Sequence, residues 1–413
     1  MAQVLVLGAG MVGVSTALAL QERGHEVCLI DRREAGRETS YGNAGYIQGE
    51  ASEPYALPRD LKTLAQFALG LRNDVMWSFA GVSKMVPALW SYYRYSRPDR
   101  HRAVSQVYTQ LTTCAPAAHA PLIEAAGAGN LITKAGYYQI HRDPSEFAAM
   151  ARDAERLERE YGVKAEFLDT RAFRRAEPVL KGDVAGAIHW QATMLCADPG
   201  ALVQAYADLF KARGGVLRRG DALSLRQSGA SWQVQTEDGP QEGTAAVVAL
   251  GPWSPELLAR FGYRVQMVYK RGYHAHYRME QTLNASIMDA DNAVVLTPMR
   301  KGLRLATGAA LVGSKGAVDT RQITRGAKGV SDIIDLGPRV DEPQWSGTRP
   351  CMPDMLPVVG EVPRHKGLWC HFGHGHQGFT LGPVTAGLLA AQMDGADSEI
   401  ARALVVPRPG VFR

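Results

Sequence analysis

Residues 3–31, QVLVLGAGMVGVSTALALQERGHEVCLID, decide how this chain folds. Residues 3–7 are a short apolar run, and Gly8, Gly10 and Gly13 follow at G-x-G-x-x-G spacing. A helical pattern then runs to about Gln21. Gly24 turns the chain into a second apolar run, which Asp31 closes. Strand, glycines, helix, strand and acid, in that order, predict a βαβ unit that binds a dinucleotide. Gly8 makes the tight turn, Gly10 lets the backbone approach a pyrophosphate, and Gly13 lets helix and strand pack closely. The helix start offers unpaired N–H groups to phosphate, and Asp31 can accept hydrogen bonds from a ribose. The candidate cofactor residues here are Gly8, Ala9, Gly10, Met11, Val12, Gly13, Asp31 and Arg32.

Length and composition bound the rest. Four hundred and thirteen residues make two to three domains' worth of chain, and 46% hydrophobic with 21% charged residues describes a globular protein. A net charge of +5 with no long basic block gives no reason to expect nucleic acid. The five scattered cysteines form no C-x-x-C pair, which argues against zinc or a disulfide framework and for a reducing compartment. No metal is expected. The opening strand leaves no signal peptide ahead of it and no run is long enough to span a bilayer, so the expected location is cytoplasmic. A peripheral seat on the inner face of the membrane stays open. Aromatics cluster with Lys84 and Arg94 in a helix expected over residues 60–97. The favoured expectation is that they pack the core or cover the substrate site; a membrane-surface or partner-subunit contact is the alternative.

Further along lie five more motifs: Glu38–Gly45 (ETSYGNAG); Ala249, Gly251, Trp253 and Ser254 after an apolar strand; Trp345–Pro350 (WSGTRP); Pro353–Gly360 (PDMLPVVG); and Gly373–Thr380 (GHGHQGFT) before a final helix. With these the chain resembles the FAD-dependent D-amino acid oxidase superfamily, most closely its D-amino acid dehydrogenase branch. The resemblance touches the start, middle and end of the chain. It implies noncovalent FAD held additionally by Thr39, Ser40, Asn43, Ala44, Gly45, Gly251, Trp253, Gly375, Gln377, Gly378, Phe379 and Thr380. Gly347 falls closer than Cys351 to the position from which some relatives tether FAD through cysteine. Gly373, Gly375 and Gly378 also satisfy G-x-G-x-x-G, but too little chain follows for a second nucleotide domain. The expected fold is α/β: a Rossmann-like FAD-binding domain, discontinuous over 1–52, 145–264 and 344–413, with an antiparallel-sheet substrate domain from 53–144 and 265–343.

The implied reaction is flavin-dependent oxidation of the Cα–N bond of a small D-amino or imino acid, of D-alanine, D-proline or hydroxy-D-proline type, by hydride transfer. Such a substrate needs its carboxylate held, and the planar fork of arginine suits that task. The resemblance puts Arg349 in that role and Tyr273 beside it; Arg271, His274 and Arg304 are weaker candidates. His374 and His376 could accept or steer the amine proton. The electron acceptor is open between a quinone and an electron-transfer protein. A glycine- or sarcosine-type oxidase and a flavin-binding subunit of a larger complex are the alternatives.

Overall fold

The computed structural model describes residues 2–313 and 316–412. The strands Gln3–Leu7 and Glu26–Asp31 pair in parallel around the helix Met11–Glu22, as the opening stretch predicts. Val4–Leu7 are buried on both faces, the pattern of a strand covered on both sides. The parallel set extends through Val216–Ser228 on one side and through Ala245–Val248 and Leu368–Phe372 on the other. Antiparallel strands at both edges complete an eight-stranded sheet. The helix Gly378–Met393 packs against Met11–Glu22; an added Cβ on Gly382 would lie 2.9 Å from Met11.

A second, ten-stranded sheet is mostly antiparallel, as expected, but carries two parallel pairs: Ser286–Asp289 with Tyr137–His141, and Ala309–Leu311 with Val75–Trp77. Its membership corrects the expected division of the chain. Ala165–Leu168 and Gly186–Trp190 pair beside Tyr137–His141 here, although residues 145–264 were expected in the nucleotide half. Trp345–Cys351 runs along Val268–Tyr277 in the same sheet. Conversely, the helices Pro98–Thr113 and Ala115–Ala125 bury Val104, Tyr108, Leu111 and Ile123 in the core of the first sheet. The chain crosses between the layers more often than its motifs reveal, because edge pairing and helix faces, not contiguity, decide where each segment buries its apolar surface.

The helix expected over residues 60–97 is two. Leu61–Ala68 ends at Leu69 and Gly70, the latter at φ +65°, and the strand Val75–Trp77 intervenes before Phe79–Tyr95. Asp60 and Ser78 each cap the helix that follows by accepting a backbone N–H. Among the described residues no helix is long and apolar enough to cross a membrane.

Candidate active site

A cavity of about 1040 Å³ runs between the two sheets, from the glycine turn to Arg349. That is the upper range of a small-molecule site and suits an extended ligand. At one end the backbone does the work. Gly8 sits at φ +106°, and a Cβ there would come within 2.6 Å of the Ala249 carbonyl oxygen. A Cβ on Gly13 would lie 1.7 Å from the Gly8 carbonyl oxygen, so helix and strand touch through these two glycines. Asp31 holds the turn from below, accepting the Ala9 N–H at 2.6 Å and the Arg33 N–H at 2.9 Å. Ser40 accepts the Met11 N–H at 3.0 Å, filling one vacant donor at the helix start. The Arg32 guanidinium lies 4.6 Å above the Trp253 ring and pairs with Glu38 at 2.8 Å.

Of the expected cofactor residues, all but Ala9, Gly13, Gly45 and Thr380 line the cavity. Those four act from behind it. Gly45, at φ +82°, packs on the Cys196 carbonyl, and the Thr380 hydroxyl donates to the Tyr46 carbonyl. The Trp345 ring covers the loop Thr39–Gly42 so closely that a Cβ on Gly42 would meet it at 1.9 Å.

At the other end side chains take over. Lys270 and Arg349 are directly opposed across antiparallel strands, which puts both on one face of the sheet, and both line the cavity. Arg349 donates to the carbonyls of Gly308 at 2.7 Å and Thr307 at 3.2 Å; that anchors one side of its fork. Gly272 makes room for it, since a Cβ there would come within 2.7 Å of the guanidinium. Burial pushes the Arg349 pKa down, and its charged neighbours include no carboxylate. Lys270 donates to the Tyr92 hydroxyl at 2.9 Å. Among the described residues no carboxylate forms an ion pair with either of these two cations.

Both expected histidines line the cavity but are held differently. His374 is buried; its Nε2 pairs with the Thr385 hydroxyl at 2.9 Å, and burial pushes its pKa down to about 3. It is a neutral strut beneath the loop, next to His371, which bonds to Thr16 and Thr385. His376 has its ring in the cavity, 5.1 Å from the ring of Tyr55. Burial, together with the Arg349 and Lys270 charges, holds it well below the usual histidine range, so its imidazole is neutral. Tyr55 lines the same cavity and is 60% exposed.

Tyr273 does not stand where the resemblance implies. It borders the cavity but is only 1% exposed, and alternation puts it on the sheet face opposite Lys270 and Arg349. Its hydroxyl is buried without a hydrogen-bond partner among the described residues. Arg271 shares that far face and donates to the Gly316 and Gly313 carbonyls. Arg304 is buried too, donating to His276 at 3.0 Å and to the carbonyls of Tyr41 and Asn43, where it braces the loop behind the cavity. His274 stacks on Trp345 at 4.7 Å. His274, His276 and Glu342 converge like metal ligands. However, His276 already pairs with Glu342 and accepts from Arg304, and Lys301 pairs with Glu342 at 3.1 Å, so the charge there is already matched.

Sequence reading missed Lys270 and Tyr55. Lys270 lies three residues from Tyr273, but only the pairing register tells which of them shares a face with Arg349. Tyr55 sits in a loop with no motif.

The family model described as FAD dependent oxidoreductase matches residues 3–392. The D-amino-acid oxidase of Bradyrhizobium diazoefficiens is 31% identical over 407 residues, 96% of each chain. A D-amino acid dehydrogenase of Cereibacter sphaeroides is 31% identical over 436 residues, covering 96% of this chain and 93% of its own. Glycine oxidase from Bacillus cereus has a similar fold, with a TM-score of 0.71 at 21% identity over 99% of both chains. L-proline dehydrogenase from P. horikoshii gives a TM-score of 0.65 at 16% identity, over 96% of this chain and 94% of its own.

Proposed function

This chain belongs to the FAD dependent oxidoreductase family, and from that premise we propose that it oxidises the Cα–N bond of a small D-amino or imino acid. FAD, when bound, supplies the two-electron acceptor. The residues of the glycine turn, the Thr39–Gly42 loop and the start of the helix Gly378–Met393 would hold it noncovalently; each leaves the close backbone approach that a dinucleotide needs.

The observation that carries the substrate class is the pair Lys270–Arg349, two cations in one cavity with no carboxylate partner among the described residues. A substrate carboxylate supplies the missing charge. Arg349 takes it on the free side of its fork, and Lys270 adds a point charge. The Tyr55 hydroxyl stands within the same cavity to close the site. His376 is the group placed to take the amine proton. Its depressed pKa arises partly from Arg349 and Lys270, so carboxylate binding relieves that repulsion and makes the imidazole a better base when substrate is present. Arg349 and His376 are thus the working pair, with His374 holding the loop that carries His376.

The electrons leave to a quinone or an electron-transfer protein. An oxidase reading has support of its own in the B. diazoefficiens relative, whose name says oxidase.

The test is anaerobic mixing of the FAD-loaded protein with D- and L-amino acids, D- and L-proline and N-methylglycine, following the visible absorbance of the flavin. Bleaching by D-alanine- or D-proline-like compounds and not by their L forms is expected. Rapid recolouring in air would replace the dehydrogenase with the oxidase. A flavin inert to every amine would sink the roles given to Arg349 and His376 and favour a flavin-binding subunit.

A further inference from the structure

The segment between residues 59 and 97 leaves large apolar side chains in water. On the helix Phe79–Tyr95, Phe79 is 82% and Trp90 61% exposed, with Val86 between them. Spacings of seven and four put the three on one helix face, while Met85, Ala88 and Tyr92 bury the other. The helix Leu61–Ala68 lies alongside, tied at both ends. Arg59 donates to the Tyr93 carbonyl at 2.6 Å, and the Trp77 indole donates to the Phe67 carbonyl at 3.0 Å. This second helix buries no residue fully: Leu64 and Phe67 line the substrate cavity, and Leu61, at 84% exposure, faces out. Leu69 and Leu71 follow it, 72% and 70% exposed.

Scattered exposed leucines are ordinary, whereas a cluster of this size marks a contact. The charges say with what. Arg59, Lys62, Arg72, Lys84, Arg94 and Arg97 lie in the segment, against Asp60 and Asp74. Asp74 pairs with Arg72, Arg97 pairs with Asp99 and Asp60 caps its helix, which leaves Arg59, Lys62, Lys84 and Arg94 without a carboxylate in ion-pair reach among the described residues. A two-fold contact with a second copy would set this cationic rim against itself. An anionic lipid surface matches it, with apolar side chains entering the headgroup boundary and tryptophan at the interface.

We infer that the paired helices Leu61–Ala68 and Phe79–Tyr95 dock this protein peripherally on an anionic membrane, with the wall of the substrate cavity at the lipid surface. The expectation that the aromatics here all pack inward is thereby corrected for Phe79 and Trp90. Tyr92 does pack inward.

The FAD-loaded protein is sedimented with vesicles of phosphatidylglycerol and phosphatidylcholine, and with phosphatidylcholine alone. Binding to the mixed vesicles only, weakened by salt, is expected. The variant F79S/W90S should weaken it at least about tenfold, since two large apolar anchors are lost. Neutralising Lys62 and Lys84 to glutamine should cost roughly fivefold for each lysine. Amino acid bleaching in free solution should stay unchanged in F79S/W90S, so the surface and the catalytic proposal stand or fall separately. Three outcomes overturn the inference: no binding to either vesicle, undiminished binding by F79S/W90S, or a dimer by light scattering that F79S/W90S dissolves.

Discussion

The two ends of the cavity are built in opposite ways. The nucleotide end comes mainly from one contiguous stretch, and its contacts are backbone: glycines without Cβ atoms and the first N–H groups of a helix. The reaction end is assembled from four distant segments, with Tyr55 from a loop, Lys270 and Arg349 from paired strands and His376 from the turn before the helix Gly378–Met393. Backbone recognition leaves a spacing signature in the sequence. Side-chain recognition across strands leaves one only if the register is known.

The largest effect expected from breaking this contrast is at the reaction end. Arg349→Ala removes the fork and leaves Lys270 alone with the substrate carboxylate, so kcat/KM should fall about a thousandfold, the usual cost of truncating one partner of a buried charge pair. FAD content should stay normal. Arg349→Lys should recover only part of the loss, because an ammonium cannot bind two oxygens side by side. Steady-state rates beside the flavin absorbance of the purified protein decide it; equal loss of flavin would mean the two ends are not separable.

Gly13→Ala should do the reverse. Its Cβ would lie 1.7 Å from a backbone oxygen that cannot move without displacing the first strand. A loss of about 3 kcal/mol of stability, with little bound FAD, is expected in urea unfolding and absorbance. A variant with normal FAD and normal stability would show that helix and strand are free to part there.

This contrast also explains what could be read from the chain beforehand. Gly8 and Gly13 make the tight turn and the close helix–strand contact that their spacing predicts, because local backbone geometry dictates glycine there, whereas the Thr39–Gly45 loop was legible only through its resemblance. Tyr273 was expected to touch substrate, yet the pairing of Lys270 with Arg349 turns it to the far face. Strand alternation is visible in a sequence, but which face meets a cavity is fixed by the partner strand. The same holds for Ala165–Leu168 and Gly186–Trp190, whose apolar patterns fit either sheet until Tyr137–His141 claims them.

His374 tests the shared floor of both ends. Its folded pKa is depressed to about 3, so the unfolded chain binds a proton that the native protein refuses. The stability it leaves intact is fully present above the unfolded value near 6.5 and is lost as pH falls toward 3. In that window it contributes a slope of about 1.4 kcal/mol per pH unit. His374→Asn should flatten the acid limb of a urea-midpoint profile between roughly pH 6 and pH 4. An unchanged slope would assign the acid sensitivity to the other histidines that burial holds neutral, His371 and His119 among them.

The smallest effect lies at Ser40, and it distinguishes two ways of seating the phosphates. The Ser40 oxygen accepts the Met11 N–H at 3.0 Å, at the helix start where a pyrophosphate is expected. A hydroxyl that accepts this bond still has its own proton to give, and Ser40 lines the cavity. Ser40→Ala would then remove a donor to the phosphate and leave the Met11 N–H without its partner. FAD affinity should fall by about fivefold, in keeping with one neutral hydrogen bond, with kcat unchanged at saturating FAD. If affinity rises instead, the phosphate takes the Met11 N–H directly, and Ser40 competes with it in the free protein. In that case the nucleotide end would be a purely backbone site, and the contrast with the side-chain-built reaction end would be sharper still.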